Sequence, residues 1–496
     1  MRGAVAAGHP LTAEAGANVL AAGGNAVDAA VGAAFMSWVA EGTLTGPGAG
    51  GFMLVHRARD RSTRVYDFFV AVPGLGLGDD VMRDMDSVDV DFSGGSTQMF
   101  RIGPASCAVP GTPLGMEEAH RSFGRLPWAE LIAPAVDAAR EGVELTRGQA
   151  YLHAILDLIL RHTPESRDVY ERDGERLVAG DTLVQPDLAR TLELLAERGA
   201  QELYGGELGR AIVAHVEAGG GCITQRDLDE FRVVRRRPVR AEFRGMEFLS
   251  NPPPSAGGIL IAYGLGLLAD RGAPGSAEAI DSLARVMREQ TRAREDSFDS
   301  ALRRGGLAKL LEERAVIARG TTHISAVDGD GNAVALTAST GAGSGVVVPG
   351  TGIHLNNMLG EFDLAKPPRP GERLSSMMSP SVVLHEGRPR LVVGSAGSLR
   401  LRGAVMQIVV NVVQHGFGVL DAIDRPRVHL EGEHLHCEGG HDPAELDRLE
   451  AMGWDVTRWR RRNLFFGGAA AVEAADDGSL AAAGDPRRGG AGVVVT

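Results

Sequence analysis

Apolar positions recur at helical spacing through most of the chain before residue 319, then alternate as strands do. Residues 11–40 predict two helices, broken at Gly23-Gly24-Asn25. Strand-like segments follow near 53–57 and 64–70. From 113 to 318 the pattern is mainly helical. Its clearest case is Pro186–Arg198, with Leu188, Leu192 and Leu195 on one face, Pro186 at the start and Gly199 just past the end. A strand near 238–249 leads into Pro252-Pro253-Pro254-Ser255-Ala256-Gly257-Gly258 and a further helix. Helical pattern returns at 277–294 and 306–318. Two alternating runs, 321–327 and 333–339, then flank Gly329-Asp330-Gly331-Asn332, which is a β-hairpin signature. Strands near 380–385 and 390–394 and a helix at 402–414 complete the reading. Helices first and strands later predict layered α/β packing around one core.

Composition narrows the function. The 496 residues are 44% hydrophobic and 23% charged, an ordinary globular balance. The net charge is −13, which argues against a nucleic-acid partner. The basic runs at 235–240 and 458–462 are expected to be solvated faces. Three cysteines, Cys107, Cys222 and Cys437, make no disulfide framework. No apolar stretch reaches the roughly 18 residues of a membrane span. The N-terminal residues lack an apolar signal region. A cytoplasmic location, with no membrane partner, is the expectation. Gly46 to Gly51 is glycine-rich but lacks the Lys-Ser/Thr of a phosphate loop. His429, His434, His436 and Cys437 match no zinc spacing, and neither a metal nor a cofactor is required.

The candidate chemistry lies at Arg319-Gly320-Thr321-Thr322-His323. A Thr hydroxyl needs a base beside it, and at a chain terminus its own α-amine can serve. In an internal position this requires a first cut, with Thr321 attacking the carbonyl of Gly320. Gly320 lacks a Cβ and leaves room for attack. A hairpin centred between Asp330 and Gly331 puts Thr321 nearly level with Ser339 and Thr340, and Ser339 is the candidate to hold the nucleophile's oxygen. His323 points away from Thr322's face, its role open. Gly-Thr-Thr is also simply a good strand start.

The combination resembles the γ-glutamyltranspeptidase family. The stretch from Gly320 through Thr321-Thr322-His323-Ile324-Ser325-Ala326-Val327-Asp328 to Asp330-Gly331-Asn332-Ala333-Val334 is similar to the start of that family's small subunit. Leu355-Asn356-Asn357, Leu374-Ser375-Ser376-Met377 and Gly394-Ser395-Ala396-Gly397-Ser398 follow in the family's order. Earlier, His9-Pro10-Leu11, Gly23-Gly24-Asn25-Ala26-Val27-Asp28, Gly50-Gly51-Phe52, Val109-Pro110-Gly111-Thr112 and Pro252-Pro253-Pro254-Ser255-Ala256-Gly257-Gly258 look like its large-subunit motifs, and Asp485-Pro486-Arg487 sits near the end. The resemblance implies a four-layer αββα sandwich of the N-terminal-nucleophile (Ntn) hydrolase fold. It also implies self-cleavage into a large part, 1–320, and a small part, 321–496, forming one intertwined unit. It makes Thr321 both nucleophile and base and Ser339 its partner. Gly397 and Ser398 become the oxyanion hole, and Ser375 and Ser376 the holders of a substrate carboxylate. On the same grounds such two-part units could pair into dimers.

The departures fall on recognition. Phe69, in Tyr66-Asp67-Phe68-Phe69-Val70, stands where the family has a carboxylate-clamping Arg, which a phenyl ring cannot replace. Gly341 sits where a substrate-binding Asn is expected, and Met358 replaces a polar residue. Glu361 matches the acid that receives the substrate's amine. The link 363–373 is short, which implies an open cleft. The leading expectation is a self-cleaved hydrolase or transferase acting on γ-glutamyl or related small-molecule amides, as in glutathione metabolism. One alternative is an acylase or a secondary-metabolism hydrolase of amide or C–C bonds, with a remodelled pocket. The other is an uncleaved, non-enzymatic binding protein.

Overall fold

The computed structural model describes residues 2–78, 84–91, 97–269, 272–295, 315–316, 321–360, 369–397 and 400–496. Two sheets stack face to face. The first has seven strands in the order Val234–Arg236, Ser62–Phe68, Gly50–Arg57, Ala333–Ser339, Thr322–Asp328, Gly3–Ala7 and Ala491–Val495, all antiparallel. The second has six, in the order Val239–Phe243, Met246–Ser250, Ser381–His385, Arg388–Ala396, Gly468–Ala474 and Leu480–Gly484.

Strand alternation builds the layers. Phe52 and Leu54 face one way, into a core shared with Val382, Val392, Ala470 and Val472 of the second sheet. Met53 and Val55 face the other way, into a core with Phe35, Trp38, Leu131 and Leu192 of the outer helices. A third core joins the second sheet to helices Gly257–Leu267, Ala277–Glu295 and Arg400–Val413. Three cores between four layers make the αββα sandwich that the family resemblance implied. Both sheets take strands from either side of residue 320, and in the first sheet those strands interleave. No helix among the described residues is long and apolar enough to cross a membrane.

Local differences from the sequence reading have local causes. The strand expected at 238–249 is two strands, because Arg244 and Gly245 both adopt positive φ (53° and 76°) and turn the chain back. Helix was expected through 306–318. Ala315–Val316 is instead a short strand, paired in parallel with Ser375–Ser376, and the rest of that stretch lies outside the described residues. The two early helices run Pro10–Ala21 and Ala26–Ala40, the second started by an Asn25–Asp28 capping box.

Candidate functional site

Thr321 immediately precedes strand Thr322–Asp328. The register runs from Val327 opposite Ala333 to Thr322 opposite Ala338, so the next pair is Thr321 and Ser339. The hairpin closes through residues 329–331, with Asp328 N–H donating to the Asn332 carbonyl (3.1 Å) and Gly331 at φ 83°. The turn is therefore centred on Asp330, and that half-residue shift selects Ser339 rather than Thr340. On its other side Ser339 pairs with Gly50.

Alternation also decides what each side chain meets. Ile324 packs toward the outer helices and Val327 toward the second sheet. Thr321, His323 and Ser325 accordingly face the second sheet, and Thr322 faces the helices. Thr322 Oγ1 donates to Glu41 (2.6 Å), the residue that ends helix Ala26–Ala40. His323 bridges the hydroxyls of Thr337 (2.7 Å) and Ser325 (3.0 Å). Burial pushes its pKa down to about 3, so the ring is neutral. Its imidazole lies flat against Gly394, where any Cβ would collide with the ring.

Thr321 is fully buried, and its Oγ1 has no hydrogen-bond partner among the described residues. It borders a cavity of about 20 Å³ with Glu41, His323, Ala396 and Arg488, enough for about one water. Ser339 Oγ accepts from Gly341 N–H (2.8 Å), and Gly341 turns at φ 75°, the left-handed region that favours glycine. Asn357 holds the next residue, accepting from Ala342 N–H (2.9 Å). Gly397 has φ 127° and abuts Gly467. Gly320, Glu361 and Ser398 lie outside the described residues.

The remaining candidates sit elsewhere. Ser375 and Ser376 are clamped by the proline-rich loop: Ser255 Oγ donates to the Ser376 carbonyl (3.0 Å), as does Ala256 N–H (2.8 Å). Ser375 Oγ is buried without a partner among the described residues, while Ser376 Oγ accepts from Met378 N–H (3.0 Å). Phe69 stacks on Phe52 (centroids 5.4 Å apart) in the inter-sheet core, and Met358 packs in the same cluster. Arg373 donates to the Phe69 and Arg232 carbonyls, so its guanidinium is engaged. None of Ser375, Ser376, Phe69 and Met358 lines the cavity at Thr321. The histidines at 429 and 436 are cross-strand neighbours, and His434 meets Asp455.

Two residues beside Thr321 escaped the sequence reading. Glu41 is buried and accepts the Thr12 (2.8 Å) and Thr322 hydroxyls. Burial raises its pKa, offset in part by those donors and by the charge of Arg488. An acid that closes a fifteen-residue, largely apolar helix was the available signal. Arg488 donates to the Thr321 carbonyl (3.4 Å), and its Nε has no partner among the described residues. Its neighbour Arg487 is structural, buried against Glu438 and Asp485. Nothing in the spacing separates the two arginines.

A family model described as gamma-glutamyltranspeptidase matches residues 12–315 and 307–495. Among curated proteins the chain is 34% identical to the "Acylase ACY 1 proenzyme" of Pseudomonas sp. (strain V22), covering 92% of this chain and 88% of that one. It is 32% identical to the "Glutathione hydrolase proenzyme" of Escherichia coli (strain K12), over 92% and 86%. Among solved structures, the cephalosporin acylase from Bacillus halodurans superposes with a TM-score of 0.85 at 25% identity, over 99% and 95% of the two chains.

Proposed function

The chain belongs to the gamma-glutamyltranspeptidase family, and from that premise we propose that it is an N-terminal-nucleophile hydrolase that cuts itself before Thr321 and opens amide bonds with the Thr321 hydroxyl. The observation that carries this reading is a buried Thr321 whose Oγ1 has no partner among the described residues, at the start of a strand and opposite Ser339. In the first cut, Oγ1 attacks the Gly320 carbonyl carbon and its proton passes to the departing nitrogen. Water hydrolyses the resulting ester, which leaves a Gly320 carboxylate and a Thr321 with free amine and hydroxyl. In turnover that amine takes the hydroxyl proton while Oγ1 attacks the substrate amide. The leaving amine departs with the proton, and water or a second amine releases the acyl group. Backbone N–H groups at Gly397 and Ser398 are the proposed oxyanion donors, each worth roughly 2.7–4 kcal/mol.

The acyl group is the open element of the proposal. Curated relatives include both acylases and glutathione hydrolases. Phe69 stands in the core and the nearby Arg373 is occupied by carbonyls, which favours an acyl group without an α-carboxylate. A γ-glutamyl amide is the second reading, favoured by a Ser375 hydroxyl that has no partner among the described residues.

Denaturing intact-mass measurement tests the nucleophile. Two pieces joined at Gly320/Thr321, with Thr321→Ala remaining whole, are expected. A whole wild-type chain would overturn the proposal. Paired anilides test the acyl group: butyryl anilide should exceed γ-glutamyl anilide in kcat/KM, and the reverse order would establish the glutamyl reading.

A further inference from the structure

A nucleophile that uses its own α-amine depends on that amine being unprotonated. An ordinary α-amine titrates near about 7.7–8.0, so most of it is protonated, and useless as a base, at pH 7. The charges around Thr321 decide the matter.

Among the described residues, five ionisable groups line the cavity at Thr321: His9, Glu41, His323, Asp485 and Arg488. Burial lowers His9 to about 4 and His323 to about 3, so neither carries charge at neutral pH. The Asp485 carboxylate is held by Arg427 (2.7 Å) and Arg487 (3.1 Å), and by the Ala469 N–H (3.0 Å). Glu41, on the helix side, and Arg488, on the second-sheet side, remain. They are not symmetric. Arg488 is lowered by burial only to about 10 and stays charged. Glu41 is pushed by burial toward its neutral form. The side chain of Arg488 lies along Gly468 and reaches between Gly397 and the Thr321 carbonyl. Arg488 is thus the charged group that reaches Thr321 itself, while the Glu41 and Asp485 oxygens are turned to other donors.

We propose that Arg488 is a positioning residue for the nucleophile: its guanidinium fixes the Thr321 carbonyl and keeps the freed Thr321 α-amine unprotonated at neutral pH. This rests on Thr321 being the freed N-terminus. A cation disfavours adding a second positive charge nearby, and a charge at such a distance moves a pKa by about one unit or more. The direction is opposite to what a partner carboxylate would do, since Glu41 in ionised form would hold the amine protonated.

The experiment reads the amine directly and needs no substrate. Cyanate carbamylates only the unprotonated amine, so the extent of labelling at Thr321 of the mature protein, followed by mass against pH, gives its titration midpoint. Arg488→Gln should raise the midpoint by about one pH unit, Arg488→Lys should leave it in place, and Glu41→Gln should leave it in place as well. The acidic limb of anilide hydrolysis should move with the midpoint. An unmoved midpoint in Arg488→Gln, or the same shift in the Gln and Lys variants, would overturn the proposal in favour of a packing role. If Arg488→Gln fails to mature, Glu41→Gln still decides: a downward shift would show an ionised Glu41 cancelling the arginine. An uncut wild-type chain would sink the Thr321 reading itself, whereas a cut chain with an unmoved midpoint sinks only the role of Arg488.

Discussion

The same inter-sheet space is built in opposite ways around Thr321 and around Phe69. At Thr321 the walls include two carboxyls, a guanidinium, two imidazoles and hydroxyls, and several of their polar atoms lack partners among the described residues. At Phe69 the neighbours are Phe52, Met358, Leu374 and Val382, packed apolar against apolar. Each unpaired buried polar group costs about 1–3 kcal/mol. A fold that gathers such groups around Thr321, while Phe69 packs against apolar side chains, has concentrated its polar strain beside the nucleophile candidate. The difference teaches that the proposed machinery and the proposed recognition region are separable: Phe69 belongs to the scaffold.

That separation can be broken most sharply at Phe69. Phe69→Ala should lower stability by about 3–5 kcal/mol through cavity formation, read by chemical denaturation, and leave the KM of the hydrolysed amide unchanged. A stable variant with an altered KM would put Phe69 in contact with substrate and erase the contrast. A smaller effect is expected at the boundary between the regions. Gly394→Ala drives a methyl into the His323 ring and should cost about 1–3 kcal/mol. Adding His323→Ala should recover part of that loss, because the two positions touch. Within the nucleophile region, Ser339→Ala removes the acceptor of the Gly341 N–H beside Thr321 and should lower kcat about tenfold, the value of one hydrogen bond of about 1.4 kcal/mol. Ser339→Thr keeps the hydroxyl and should keep most of the rate. Equal losses in both variants would make Ser339 a packing residue.

How much of this was legible depended on range along the chain. The hairpin is local, and its register with Ser339 could be read to within half a residue from Asp328-Gly329-Asp330-Gly331-Asn332. Gly394 was legible as part of a motif, but the His323 ring that it lies against was not. The Arg244-Gly245 turn was missed because a non-glycine residue at positive φ leaves little trace in composition. Ala315–Val316 was missed because its pairing partner lies some sixty residues away, at Ser375–Ser376. Glu41 and Arg488 are 447 positions apart, and only the packing of helix against sheet brings them to one cavity.

The smallest effect concerns Glu41 and sharpens the charge argument. Its pKa is raised in the folded state, chiefly by burial. A raised folded pKa means that the folded chain holds the proton more tightly than the unfolded one. The contribution to stability is then fully present below the unfolded value near 4.5 and is lost as pH rises through the folded value. Gln resembles the protonated acid in shape and cannot ionise. Glu41→Gln should therefore match the wild type in Tm at pH 4 and exceed it by a few degrees at pH 8, roughly 2–4 °C for each kcal/mol in a chain of this size or less. The gap should open in the direction of rising pH. A gap that instead favours the wild type at pH 8 would mean that Glu41 is ionised and held by Arg488. Thr321 would then sit between balanced charges, and its end of the inter-sheet space would be closer in kind to the Phe69 end than the geometry indicates.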